Sequence, residues 1–109
     1  MIKLIASDID GTLVENSTAV LYPEMFDMIR TLKQKGILFC VASGRQYQSI
    51  ANMFEPVRED IIFLAENGAH IRYQNKDISL IEMKREHIEE IVHMIRKENT
   101  KGDYIVSTN

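Results

Sequence analysis

Two aspartates one residue apart, Asp8 and Asp10, are the sharpest chemical signal in this sequence. Carboxylates this close repel each other, so the pair favours a bound cation or a shared proton. Mg²⁺ suits the pair because it is a hard ion that takes carboxylate, water and phosphate oxygens as ligands. With the charge balanced in this way, one carboxylate could attack phosphorus while the other moves a proton to or from the leaving oxygen.

Nearby residues are of types that bind phosphate. Gly11 allows the backbone to approach a phosphate closely, and Thr12 adds a hydroxyl group. Ser43, with Gly44 beside it, can donate a hydrogen bond to a phosphate oxygen, and the helix predicted to follow would present free N–H groups. Ser43 also fits the role of a helix N-cap, and the two roles are compatible.

Apolar runs predict the elements that position these residues. Three strands, at residues 2–7, 37–42 and 61–65, alternate with two helices, one over residues 23–36 and one after residue 45. The first strand reads as buried on both faces, since its residues are apolar apart from Lys3. This βαβαβ order is typical of a Rossmann-like parallel sheet. Ligands bind beyond the carboxyl ends of such strands, and the residues expected there are Asp8, Asp10, Ser43, Gly44, Glu66 and Asn67.

The pattern changes after residue 68. Two short strands, at 69–73 and 77–82, predict a hairpin around residues 74–76. An apolar stripe at helical spacing, from Ile88 to Ile95, predicts a helix, and residues 104–106 predict a further strand. We therefore expect two units, a core portion at residues 1–83 and the start of a second α/β unit at 84–109.

Three segments together resemble the haloacid dehalogenase superfamily. Residues 8–13, Asp-Ile-Asp-Gly-Thr-Leu, resemble its first motif, and residues 41–45, Val-Ala-Ser-Gly-Arg, resemble its second. Residues 65–69, Ala-Glu-Asn-Gly-Ala, resemble the segment after the third strand in the Cof-type sugar-phosphatase branch, whose members carry a large α/β cap of the C2 type. The resemblance covers essentially the whole chain and implies the N-terminal portion of such a fold.

The resemblance also implies roles for individual residues. Asp8 would be the nucleophile and a Mg²⁺ ligand, and Asp10 the general acid and base that gives the metal its backbone carbonyl. Ser43 would bind the phosphate, whereas Arg45 and Asn67 would position loops. The implied activity is that of a Mg²⁺-dependent phosphatase, which forms a phosphoaspartyl enzyme and hydrolyses a small phosphorylated metabolite such as a sugar phosphate.

The sequence departs from the family pattern in one respect. Family members continue beyond the cap to a lysine and a second set of aspartates, and Lys84, Lys97, Lys101 and Asp103 do not occupy those positions. We therefore expect half of an active site and no phosphatase activity from these 109 residues alone. The first strand would also lack one neighbouring strand, so we expect either self-association through its exposed edge or poor stability.

Alternatives from other classes stay open. One is a phosphomutase of the same superfamily, and another is a non-catalytic module that binds phosphate or Mg²⁺, if the natural chain ends at Asn109. Receiver domains and glycosyltransferases also use neighbouring aspartates, but the Asp-x-Asp-Gly-Thr spacing at residue 8 disfavours both.

Net charge and hydropathy argue against two classes of partner, nucleic acid and membranes. A formal net charge of -3 offers no electrostatic footprint for nucleic acid or acidic membranes, and no apolar run is long enough to span a bilayer. The apolar start is too short for a signal peptide, which predicts a cytoplasmic protein.

The single cysteine, Cys40, cannot form an internal disulfide. The three histidines lack ligand spacing and are expected at the surface or its boundary: His70, His87 and His93.

Overall fold

The computed structural model describes residues 1–15, 21–98 and 106–107 of the chain. One sheet has five strands in chain order: β1 (Leu4–Asp8), β2 (Leu38–Ala42), β3 (Ile61–Ala65), β4 (His70–Tyr73) and β5 (Lys76–Leu80). The helices are α1 (Pro23–Gln34), α2 (Tyr47–Met53) and α3 (Arg85–Lys97), with short 3₁₀ turns at Glu55–Val57 and Glu66–Gly68. The first three strands are parallel and the last two are antiparallel. The predicted α/β class is confirmed, and the predicted hairpin makes the sheet mixed.

Local sequence explains where α1 begins and ends. Pro23 occupies the first turn, where the missing N–H costs no hydrogen bond. At the other end, Gly36 adopts a φ of +76° and donates its N–H to the Lys33 carbonyl oxygen at 3.0 Å. The next residue, Ile37, donates back to the Leu32 carbonyl oxygen at 2.9 Å. This pair of bonds is a Schellman-type end, which leads the chain directly into β2.

The core lies between α1, α2 and one face of the sheet. Alternate residues of β2 and β3 face the helices, which is the period of two that a strand imposes. Three large side chains are essentially inaccessible to solvent, Ile50 and Phe54 from the helix side and Phe63 from β3. On the opposite face of the sheet, Ile62 and Leu64 are only partly buried. The packing that holds the site is therefore concentrated on the face that carries the helices.

Strand β1 is less buried than the sequence predicted. Among the described residues it pairs with β2 alone, and Leu4 is 51% exposed. The expectation that this strand is buried on both faces is wrong, because an apolar run does not show how many neighbours the strand has. The strand also begins and ends later than predicted, so that Asp8 is its last residue.

The hairpin after β3 contains the main surprise in the fold. Its turn residues, Gln74 and Asn75, both have positive φ, at 51° and 62°, as two-residue hairpin turns of type I′ require. His70, expected at the surface, is only 6% exposed. Its Nε2 lies 2.7 Å from Asp77 Oδ1 on β5, and its ring lies 5.6 Å from that of Tyr47. The hydrogen bond and the ring contact compensate for its burial, and the expectation for His70 is wrong.

Helix α3 confirms the apolar stripe of the sequence but buries none of its residues. Its exposed face includes Ile91 at 44%. His87 and His93 are exposed, as expected. No helix in the described ranges is long and apolar enough to cross a membrane. The strand predicted at 104–106 lies outside the described residues, apart from residue 106.

Candidate active site

The first motif follows directly from β1. Ile9 is fully buried, so its two neighbours, Asp8 and Asp10, are exposed at the end of the strand. The Ile9 N–H donates to Asp8 Oδ1 at 2.8 Å, which fixes the direction of that carboxylate. A tight turn follows, in which Gly11 (φ +78°) donates its N–H to the Val14 carbonyl oxygen at 2.9 Å. Glycine adopts this positive φ without strain.

The side chain of Arg45 forms a fork with Asp10. Arg45 Nε lies 3.0 Å from Asp10 Oδ2, and Nη2 lies 2.5 Å from Asp10 Oδ1. The hydrogen bond to Asp10 raises the pKa of the Arg45 guanidinium above its ordinary value. Both carboxylate oxygens of Asp10 are therefore held and oriented by a fixed positive charge. Sequence reasoning missed this bond, because the partners are 35 positions apart and no spacing rule links them.

Ser43 joins the ends of β2 and β3. Its N–H donates to the Leu64 carbonyl oxygen at 2.9 Å, and its own carbonyl oxygen accepts the Asn67 N–H at 3.0 Å. The Ser43 Oγ accepts the Arg45 N–H at 3.0 Å. Since the oxygen acts as the acceptor in this bond, the hydroxyl hydrogen remains available to another acceptor.

The helix after Ser43 begins later than the sequence predicted. Gln46 is its N-cap and Tyr47 its first residue, so Ser43 does not take the alternative role of helix N-cap. The helix has only seven residues. Backbone N–H groups near Ser43 therefore belong to the loop that precedes α2, and one of them, that of Arg45, is already bonded to Ser43 Oγ.

Asn67 closes the loop from the other side. It lies in the left-handed region at φ 56°, which asparagine tolerates better than most residues. A Cβ added to Gly44 would lie 3.2 Å from Asn67 Oδ1, so this glycine is in close contact with the amide. The neighbouring Glu66 donates its N–H to the Arg45 carbonyl oxygen at 2.9 Å. Backbone bonds thus connect the second and third motifs.

The structure brings most of the predicted residues together. Strand register pairs Asp8 with Ala42, the residue before Ser43, and the Arg45 fork ties the first motif to the second. Thr12 is exposed, and within the described ranges its hydroxyl has no hydrogen-bond partner. Glu66, placed at this edge by the sequence, contributes its backbone to the loop, while its side chain lines a different cavity.

The Asp8 carboxylate could supply one ligand of a magnesium site. In the part of the chain that the structure describes, no three Asp, Glu, His or Cys side chains cluster as a metal site. Asp8 uses Oδ1 for the Ile9 N–H, and its Oδ2 has no described partner. Because Arg45 occupies the Asp10 side chain, Asp8 Oδ2 is the carboxylate oxygen open to a cation. Such a hard oxygen donor suits Mg²⁺.

A protein-family model matches nearly the whole chain. It is the family model of the haloacid dehalogenase-like hydrolases, and it matches residues 5–109. The chain belongs to this family. The resemblance carried by the three motifs is therefore confirmed.

Two curated proteins illustrate the relationship to haloacid dehalogenase-like hydrolases. The 5-amino-6-(5-phospho-D-ribitylamino)uracil phosphatase YbjI of Escherichia coli is 32% identical over 97 residues, which cover 88% of this chain and 36% of the relative. Phosphoglycolate phosphatase 1 of Saccharolobus solfataricus is 30% identical over 102 residues, which cover 92% of this chain and 44% of the relative. The chain thus spans less than half the length of each of these two relatives.

Solved structures show the same haloacid dehalogenase-like fold. The protein SMU.1108c of Streptococcus mutans superposes with a TM-score of 0.80 at 32% identity, over 90% of this chain and 37% of that chain. A haloacid dehalogenase-like hydrolase from B. subtilis gives a TM-score of 0.73 at 26% identity, over 90% of this chain and 34% of that one.

Proposed function

We propose that this chain carries the nucleophile, the general acid–base group and part of the phosphate site of a Mg²⁺-dependent phosphatase. The observation that carries the proposal is the first motif. Asp8 ends β1 with one carboxylate oxygen open, beside an Asp10 carboxylate that Arg45 holds in place. An exposed, oriented carboxylate can act as the nucleophile that forms an aspartyl phosphate.

The reaction would proceed in two balanced steps. In the first, Asp8 Oδ2 attacks phosphorus, the bond from phosphorus to the ester oxygen breaks, and Asp10, protonated once one of its oxygens has left Arg45, gives its proton to that oxygen. In the second, water attacks the phosphorus of the aspartyl phosphate while Asp10 takes a proton from the water. Inorganic phosphate leaves and the Asp8 carboxylate is restored. Mg²⁺, when bound, would offset the negative charge of the phosphate and of Asp8.

The second motif would bind the phosphate oxygens. The Ser43 hydroxyl has its hydrogen available because its oxygen accepts the Arg45 N–H. Gly44 adds no side chain, which lets the Asn67 amide approach its backbone closely. We assign Gly11 and Thr12 to the same site, on the side of the first motif. Arg45 and Asn67 would act as positioning residues, the former through Asp10 and the latter through Ser43 and Gly44.

The substrate class follows from the relatives. The Escherichia coli relative is named for a phosphorylated ribityl compound and the Saccharolobus solfataricus relative for phosphoglycolate. Both are small phosphate monoesters. This supports a small phosphorylated metabolite, such as a sugar phosphate, as the substrate of the whole protein.

We also propose a division of the chain at residue 83, with 1–83 as part of the catalytic core and 84–109 as the start of a cap. Two features support it. The last strand of the sheet ends at Leu80 and α3 begins at Arg85, and α3 adds no buried residue to the core around Ile50 and Phe63.

The test uses the whole protein with Mg²⁺ and a panel of small phosphate esters. Release of inorganic phosphate is expected, and Asp8→Asn should abolish it because the amide cannot act as the nucleophile. Asp27→Asn, an exposed aspartate on α1, serves as the matched control. Normal turnover by a folded Asp8→Asn protein would refute the proposal. A rearranged ester without free phosphate would indicate a mutase instead.

A further inference from the structure

A second cavity lies between α2 and the hairpin of β4 and β5. Its volume is about 450 Å³, a size typical of small-molecule sites. We call this cavity the Tyr47 pocket. The residues that line it include Tyr47, Arg58, Glu66, His70, Arg72 and Asp77. Asp8, Asp10 and Ser43 are not among the residues that line it. The pocket is therefore separate from the candidate active site.

Two arginines meet at this pocket. The guanidinium carbon of Arg72 lies 4.9 Å from the centre of the Tyr47 ring, and that of Arg58 lies 5.7 Å from the same point. Cation–π attraction of this kind holds both charges against one aromatic ring. Both arginines border the same pocket. Each side chain is less than a third exposed, at 28% for Arg58 and 29% for Arg72.

Both arginines are incompletely bonded by the described residues. Arg58 donates to Tyr47 Oη and to Glu55 Oε2, each at 3.3 Å, and its Nη2 has no described partner. Arg72 Nη1 lies 3.3 Å from Asp77 Oδ1, and its Nη2 donates to the Asn75 carbonyl oxygen at 3.0 Å. The three bonds of 3.3 Å are beyond the usual 2.7–3.2 Å range of N–H···O bonds. In the active site, by contrast, Arg45 holds Asp10 at 3.0 and 2.5 Å.

Arg72 also has a buried donor without a partner. Its Nε has no hydrogen-bond acceptor among the described residues and is shielded from solvent. A buried donor that lacks an acceptor is destabilising, and it calls for a specific explanation in a folded protein. An acceptor oxygen that enters the pocket and draws the guanidinium towards it would provide that missing partner.

We propose that the Tyr47 pocket binds a small oxyanion, a phosphate or carboxylate group, through Arg58 and Arg72. The planar fork of a guanidinium matches the spacing of two oxyanion oxygens. The Asp77 carboxylate is already paired, with His70 Nε2 at 2.7 Å and with Arg72. The Glu66 carboxylate has no described partner and opposes an anion, so we expect the site to be weak.

The test measures binding of radiolabelled inorganic phosphate to the 109-residue chain by equilibrium dialysis, with a chelator in place of Mg²⁺. Arg58→Gln and Arg72→Gln should each weaken binding about tenfold, because a charge-assisted hydrogen bond is lost. Glu66→Gln should tighten it severalfold by removing repulsion. Arg30→Gln, an arginine on α1 paired with Asp27, is the matched control and should bind as the parent chain does.

Further variants and a competition experiment distinguish this proposal from the proposed phosphatase function. Ser43→Ala alters the candidate active site and should leave this binding unchanged. Competition by malonate would show that carboxylates use the same site, and its absence would restrict the site to phosphate. Circular dichroism checks that each variant is folded. Where a Gln variant unfolds, Arg58→Lys or Arg72→Lys replaces it, since lysine keeps the positive charge. Each Lys variant should lose part of the affinity for phosphate.

Three results would overturn the proposal. One is no binding at tens of millimolar phosphate. Another is unchanged affinity when both arginines are replaced. The third is loss of binding in Ser43→Ala alone, which would place the phosphate in the Asp8 crevice.

Discussion

The loops at the carboxyl ends of β1 to β3 and the helix α3 differ in how the rest of the molecule holds them. In the loops, bonds cross between all three motifs, from Arg45 to Asp10, from Glu66 to Arg45 and from Asn67 to Ser43. Helix α3 has an equally clear amphipathic pattern, yet none of its residues is buried. Pattern alone therefore does not indicate which segment is fixed. The polar contacts between segments distant in sequence indicate which segment is fixed.

The largest expected effect lies in the loops. In the whole protein, Asp10→Asn should lower turnover about 10²- to 10⁴-fold, because an amide cannot give a proton to the leaving oxygen. The loss should be smaller for p-nitrophenyl phosphate, whose leaving group needs little protonation. Steady-state rates on alkyl and nitrophenyl esters measure the difference. An equal loss on both esters would contradict an acid role for Asp10.

The core that supports the loops should be far more sensitive than α3. Ile50 is fully buried and Ile91 is 44% exposed. Ile50→Ala should lower the free energy of unfolding by about 2–5 kcal/mol, because it removes packed atoms and leaves a cavity. Ile91→Ala should cost less than about 1 kcal/mol. Urea unfolding of the 109-residue chain compares them, and similar losses would show that α3 is packed as firmly as α2.

The edge of β1 should mediate association of the isolated chain. Its N–H and C=O groups on the side away from β2 are a template for another strand. We expect light scattering after size exclusion to give a mass above that of one chain. Ala6→Lys, which places a charge on this exposed strand, should reduce the mass, whereas Ser49→Lys on α2 should not. A monomeric parent chain would show that this edge is protected.

A smaller effect is expected where Gly44 meets Asn67. The Cβ of Gly44→Ala would lie 3.2 Å from Asn67 Oδ1, so the amide must move, at a cost of about 1 kcal/mol. Adding Asn67→Ala should remove that conflict, so the double variant should lose less than the sum of the two single losses. Thermal unfolding of the four proteins completes the cycle. Simple additivity would mean that the contact imposes no constraint.

The smallest effect concerns Asp77, at the hairpin. The hydrogen bond from His70, together with the charge of Arg72, lowers the pKa of Asp77 below its ordinary value of 3.8. A carboxyl whose pKa is lowered in the folded state contributes stability above its unfolded pKa and loses it as the pH falls through the folded value. Below about pH 4, the parent chain should therefore lose more stability than Asp77→Asn does. Thermal scans from neutral to acidic pH measure this, with Asp27→Asn as control, and parallel curves would contradict it.

The sequence predicted the elements better than the contacts. The apolar runs of β2 and β3 and the Pro23 start of α1 were located because they depend on local periodicity and turn chemistry. The Arg45–Asp10 fork and the burial of His70 were not predicted, because each depends on a partner supplied by another segment. The start of α2 at Tyr47 was missed for a related reason, since Ser43 uses its hydroxyl within its own loop.

Every strand in the sheet pairs with the strand that comes next to it in the chain. A chain that emerges from the ribosome can therefore form each pairing as soon as the later strand has been made, without waiting for a distant segment. The last pairing can form once Leu80 has emerged, before α3 has left the ribosome. The three motif loops lie between these strands, so co-translational folding would assemble the crevice before the amphipathic helix is exposed.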